Sequence, residues 1–291
     1  MRFPGIIPAV TTPFAADGSI DVAGLESNLD ALLDAGVHGV VATGTMGEAG
    51  SMSTAERRTV VDAVVRAVDG HVPVIAGISS GTPAAAIALG ADAADAGVSA
   101  LMMLPPLGYR ADADETIAYY RAVTEATGLP LMAYNNPEAS GVDMTPDLIV
   151  RLYEDVDGVV AIKECSGDAR RIPALLNAAP GLEVLVGGDD WALEGFCAGA
   201  TGWVTGVADV LPRECVELYD ACRTGDLETA RAIYARLLPL ARFDMTPKLV
   251  QYFKAAMDEV GLAGGPTRPP RLPLTDNERA ALLDAMAGAT V

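Results

Sequence analysis

The chain has 291 residues, 51% of them hydrophobic, and carries a formal charge of −19 with an isoelectric point near 4.3. That length can bury one large core. So acidic a chain would be repelled by nucleic-acid phosphates and by anionic membrane surfaces, which excludes both as expected partners. The N-terminal stretch MRFPGIIPAV has two prolines and no sustained apolar run, so neither a signal peptide nor a membrane span is expected and the chain is placed in the cytoplasm.

Short apolar runs recur along the chain: GIIPAVTTPF, GVVATG, VPVIAGI, ALMMLPP, LPLMAYNNP, VVAIKECSG, LEVLVGGDD and TGWVTGVA. They read as eight buried strands. Between them lie segments such as DVAGLESNLDALLDAG, STAERRTVVDAVVRAV and TPAAAIALGADAADAG, with apolar residues three and four apart and a Ser, Thr or Asp at the start. These read as amphipathic helices. Two joints, LDAGVHGVVATG and ADAGVSALMMLPP, share a helix end, an Ala-Gly-Val turn and a strand. The fold expected is an α/β protein, a (β/α)8 TIM barrel, and no G-x-G-x-x-G follows the first strand to favour an open dinucleotide-binding sheet. Residues 1–210 are expected to form the catalytic barrel. Residues 211–291 are expected to be a helical extension of the same domain, with helical patterns at about 213–240 and 246–260, the loop GGPTRPPRLPL, and a last helix from about 275.

Only three of the 20 basic residues are lysines, Lys163, Lys248 and Lys254, so their placement is informative. Lys163 interrupts the apolar run VVAI. A lysine buried there either finds a partner or has its pKa lowered, and a neutral amine is a nucleophile. The alternative is an ammonium that snorkels at the strand end or pairs with Glu164 or Asp168. In such a barrel the chemistry sits at the C-terminal ends of the strands. Strand alternation puts Ala161, Lys163 and Cys165 on one face of the sixth strand and Met132, Tyr134 and Asn136 on one face of the fifth. An amine beside a phenol and the Thr45 hydroxyl suits imine formation with a ketone, and the GTMGE loop offers N–H groups for a carboxylate. His38 and His71 are the only histidines and the four cysteines show no C-x-x-C spacing, so no metal site, cofactor or disulfide framework is expected.

IPAVTTPF, GTMGE, YNNP, IKECSGD, GGDD and RPPRLPL, in that order along nearly the whole chain, resemble the dihydrodipicolinate synthase and N-acetylneuraminate lyase superfamily of Schiff-base aldolase barrels. The resemblance implies an imine between Lys163 and pyruvate or a related 2-oxo acid, with Tyr134 as proton shuttle. Thr45 would lie in the carboxylate-binding loop and hydrogen-bond towards Tyr134, Gly44 would contribute through its backbone, and Gly188 and Val204 would line the lysine's pocket. Many members are homotetramers, dimers of dimers.

Three departures from the synthase pattern follow from the same residues. Met46 replaces a second hydroxyl after Thr45. Ala139 stands where synthases carry a carboxylate-binding arginine, and Tyr109 lies one residue out of register with the tyrosine that relays protons between subunits. The expected function is therefore a metal-independent Schiff-base lyase on pyruvate or a hydroxylated 2-oxo acid, performing aldol cleavage or condensation, dehydration or deamination. The readings set against it are an authentic 4-hydroxy-tetrahydrodipicolinate synthase, condensing pyruvate with aspartate semialdehyde, and a sensor barrel without catalysis.

Overall fold

The computed structural model describes residues 2–289, so the outer ends of the two expected segments, at 1 and 291, lie outside the described residues. In chain order the elements are β1 (Gly5–Pro8), α1 (Val22–Asp34), β2 (Val40–Ala42), α2 (Thr54–Val68), β3 (Val74–Gly77), α3 (Pro83–Ala96), β4 (Ala100–Met103) and α4 (Ala113–Thr127). There follow β5 (Leu131–Asn135), the single-turn α5 (Pro137–Ser140), α6 (Pro146–Asp155), β6 (Val159–Glu164), α7 (Arg171–Ala178), β7 (Glu183–Val186), α8 (Ala192–Cys197) and β8 (Gly202–Thr205). The C-terminal helices are α9 (Pro212–Thr224), α10 (Leu227–Ala241), α11 (Leu249–Glu259) and α12 (Asp276–Ala287).

Helix starts follow local chemistry. Ser53 and Glu56 form a reciprocal capping box on α2, as do Asp112 and Glu115 on α4 and Thr275 and Glu278 on α12. Thr82 caps α3 ahead of Pro83, whose missing N–H is not needed in the first turn. Gly97 ends α3 at φ 93°, a conformation costly for any residue with a Cβ, and the chain turns directly into β4.

All eight strands are parallel in the order β1-β8-β7-β6-β5-β4-β3-β2, and the ring closes through an Ala9–Val41 bridge, with the Val10 N–H donating to Val41 O at 3.0 Å. The protein is a (β/α)8 TIM barrel with added C-terminal helices. The strands are buried on both faces, which is why they read as continuous apolar runs rather than alternating ones. The pattern at 213–240 resolves into two helices, because Gly225 at φ 81° ends α9 and Asp226 caps α10.

The C-terminal helices are bound to the barrel by buried polar contacts. Tyr234 on α10 donates its hydroxyl to Asp189 O at 3.1 Å and receives the Ala192 N–H at 3.2 Å, just beyond β7. Lys254 on α11 donates to Thr12 O at 2.9 Å, after β1, and pairs with Glu48 at 3.0 Å, after β2. The segment between α10 and α11 is thereby held over the barrel mouth.

Candidate active site

β5 and β6 pair in a register that sets Tyr134 beside Lys163 and Asn135 beside Glu164. Strand alternation then divides the labour. Tyr134, Asn136, Lys163 and Cys165 line a cavity of about 290 Å³ at the C-terminal end of the barrel. Asn135 and Glu164, on the opposite face, lock the two strand ends: Asn135 donates to Glu164 at 2.9 Å, Glu164 receives the Ser166 N–H at 2.6 Å, and Asn135 receives the Met144 N–H at 3.0 Å. Both are fully buried, so the network is shielded from water and fixes the inward pair.

Lys163 is 7% exposed, and its Nζ lies 4.4 Å from the centre of the Tyr134 ring. Gly187 makes room for it. A Cβ at that position would come within 2.9 Å of Lys163 Cγ and 2.8 Å of Glu164 O. Sequence reasoning expects Gly188 to line the pocket; the structure places Gly187 there, while Gly188 faces the Trp191 indole, 2.2 Å from where its Cβ would stand. Alternation explains the one-residue offset, since Leu185 is in register with Lys163 and Gly187 is the next residue on the same face.

Gly44, Thr45, Met46, Ala139 and Val204 all line the same cavity, and Tyr109 does not. Tyr109 is 50% exposed on the loop after β4, beside Glu115. Thr45 is on the exposed side of its turn, and among the described residues its hydroxyl makes no hydrogen bond with Tyr134. Asn136 takes that place. Its Oδ1 receives the Ala139 N–H at 3.0 Å, which turns its Nδ2 to donate to Tyr134 Oη at 3.1 Å. With one lone pair so occupied, the phenol's own hydrogen is left to serve another acceptor in the cavity.

Burial pushes the Tyr134 phenol up to about 12, with Lys163 pulling the other way, so at neutral pH it is a proton donor. Burial likewise pushes the Cys165 thiol up to about 12, which makes it a neutral filler and not a nucleophile. The expectation of a lowered Lys163 pKa is corrected. Burial does pull it down, but Tyr134, Cys165, Asp244 and Asp189 together outweigh it and leave the amine above its ordinary value. Lys163 is an ammonium in the free protein. The fraction of neutral amine therefore grows about tenfold per pH unit below that value, and the rate of imine formation with pyruvate is expected to rise by roughly a hundredfold from pH 6 to pH 8 in rapid-quench trapping. A rate already flat across that range would show a neutral amine.

Several cavity residues escape sequence reasoning. Asp244, Thr246 and Leu249 come from the segment between α10 and α11, whose position over the mouth follows from tertiary packing alone. Burial raises Asp244 to about 6, with Lys163 opposing, and its Oδ2 receives the Asp189 N–H at 3.2 Å. Asp189 points away, towards β8, where it receives N–H bonds from Trp203 at 2.9 Å, Gly206 at 3.1 Å and Val207 at 2.9 Å. Neither histidine reaches the cavity: His38 receives the Ile6 N–H at 3.2 Å, at the opposite end of the barrel, and His71 bonds Val68 O. Among the described residues no three His, Cys, Asp or Glu side chains gather as a metal site.

A closed parallel barrel with one lysine and one phenol buried side by side at its mouth has the architecture of the Schiff-base aldolase barrels. The family model of the dihydrodipicolinate synthetase family matches residues 2–288, and the chain belongs to that family. It is 38% identical to the 4-hydroxy-tetrahydrodipicolinate synthase of Methanothrix thermoacetophila over 98% of this chain and 96% of that one. It is 37% identical to the synthase of Methanopyrus kandleri over 92% and 90%. The solved dihydrodipicolinate synthase DapA-2 of Bacillus anthracis superposes with a TM-score of 0.94 at 33% identity, covering 99% of this chain and 98% of that chain. A prophage protein of the same family from E. coli K12, solved in complex with pyruvate, superposes with a TM-score of 0.94 at 27% identity and 99% coverage of both chains. The protein is an enzyme of the lyase type.

Proposed function

We propose that Lys163 forms an imine with pyruvate or a hydroxylated 2-oxo acid and that Tyr134 carries the protons. The observation that carries this reading is the pairing of Lys163 and Tyr134 in one register on adjacent strands, inside one cavity. The substrate carboxylate would sit against the Gly44–Met46 turn and draw the carbonyl carbon to Nζ. Lys163 loses a proton and its amine adds to C2. Tyr134 protonates the resulting hydroxyl, which leaves as water. In a 4-hydroxy acid, Tyr134, now a phenolate, takes the proton of the C4 hydroxyl as the C3–C4 bond breaks, its electron pair passes to the iminium and an aldehyde leaves; return of that proton to C3 and hydrolysis of the imine give pyruvate and free lysine.

The relatives' synthase reaction is a second reading, favoured by their names. Against it stands Ala139, exposed on the cavity wall, because among the described residues no cation other than Lys163 lines that cavity to hold a second substrate's carboxylate. Assaying pyruvate release from hydroxylated 2-oxo acids alongside condensation of pyruvate with aspartate semialdehyde tests the choice. Faster release supports the lyase, and faster condensation supports the synthase. Tyr134→Phe keeps the ring over Lys163 and removes the proton; imine formation is expected to slow by roughly 10²- to 10³-fold in the same assay, and an unchanged rate removes Tyr134 from the shuttle. We place the enzyme in the cytoplasm, a reading supported by four free cysteines among the described residues, and in a homotetramer, supported by the family resemblance.

A further inference from the structure

Lys163 is the one cationic side chain lining the cavity among the described residues, and two carboxylates, Glu138 and Asp244, share the walls with it. A 2-oxo acid joined to Lys163 uses that cation for its reacting end. The rest of the lining includes Ala139 on one element and Asp244 on another, and among the described residues it holds no second positive group to receive an anion at the substrate's far end. One Asp244 oxygen receives the Asp189 N–H at 3.2 Å, and the other makes no hydrogen bond among the described residues.

We infer that Asp244 sets the substrate class: the enzyme takes 2-oxo acids whose far end carries hydroxyls or a protonated nitrogen, and rejects those ending in a second carboxylate or a phosphate. A hydroxyl or N–H donates to the carboxylate at short range, whereas a second anion faces like charge in a partly desolvated pocket. Phosphate is disfavoured on a second ground. The β7 and β8 ends, where phosphate-binding barrels hold their ligand, are occupied by Asp189, which takes the Gly206 and Val207 N–H groups itself.

The inference rests on the imine reading and is tested through it. Imine formation is measured by borohydride trapping with 5-hydroxy-2-oxopentanoate and with 2-oxoglutarate, which differ only at C5. The wild-type protein is expected to favour the hydroxylated acid at least tenfold. Asp244→Asn, which can still receive the Asp189 N–H, is expected to cut that preference to less than a third. A general loss of folding or reactivity lowers both rates and leaves the ratio, so only a change at the far end moves it. A wild-type preference below twofold, or a ratio in Asp244→Asn above a third of the wild-type value, overturns the assignment. Wild-type protein that traps pyruvate but does not discriminate fails this inference alone; protein that traps no 2-oxo acid fails the imine reading beneath it.

Discussion

Lys163→Ala is expected to lower kcat by at least about 10⁴-fold, the scale on which loss of a covalent nucleophile is felt. The barrel should survive the change. Lys163 makes no hydrogen bond among the described residues, its neighbours being the Tyr134 ring face, Cys165 and the pocket carboxylates. Removing the ammonium takes away its attraction to the pocket carboxylates together with its desolvation cost and leaves a small cavity beside Gly187; these effects partly offset, so thermal stability is expected to stay within a few degrees of wild type. Circular dichroism melting and turnover, measured on the same preparation, separate the two effects. Full activity in a folded Lys163→Ala protein would refute the mechanism.

Lys254→Met is expected to show the opposite division, with a large loss of stability in a residue outside the cavity. Lys254 is 1% exposed and Glu48 is completely buried. The Lys254 ammonium donates to Glu48 at 3.0 Å, Thr12 O at 2.9 Å and Pro266 O at 2.7 Å, and its Nζ lies 4.6 Å from the Phe14 ring centre. Glu48 also receives the Arg268 N–H at 3.0 Å. Deleting the lysine leaves a carboxylate in the interior with its main counter-charge gone, which costs about 3–5 kcal/mol. Glu48 sits at φ 53° at the end of the turn that carries Thr45, so the same change should loosen the carboxylate-binding turn and raise KM more than it lowers kcat. Chemical denaturation of Lys254→Met, Glu48→Gln and the double variant gives the coupling. A double variant as unstable as the sum of the singles would show that the pair is not a unit.

The barrel was legible because its strands are buried on both faces and several of its helices open on a cap visible in the residues, as Ser53, Thr82 and Asp112 show. The inward set on β5 and β6 was legible for the same reason, since a period of two puts Tyr134 with Asn136 and Lys163 with Cys165. Three things were not. Gly188 was named where Gly187 faces the lysine, because the resemblance carried a position while register decides a face. The Lys163 pKa was expected to fall on burial alone; the sum of the charges and titrating groups around it, Asp244 among them, depends on contacts between segments far apart in the chain. The Asn136 amide is visible within YNNP, but that it takes the place expected of Thr45 as the partner of the Tyr134 oxygen follows from the way the Ala139 N–H turns it.

The central claim is the covalent bond at Lys163, and intact-protein mass after borohydride reduction with pyruvate, followed by peptide mapping, tests it most directly. The expected result is one irreversible adduct per chain, on the peptide that carries Lys163, and none in Lys163→Ala. Folded wild-type protein that gains no mass with pyruvate or any hydroxylated 2-oxo acid, or that carries its adduct on Lys248 or Lys254, would contradict it.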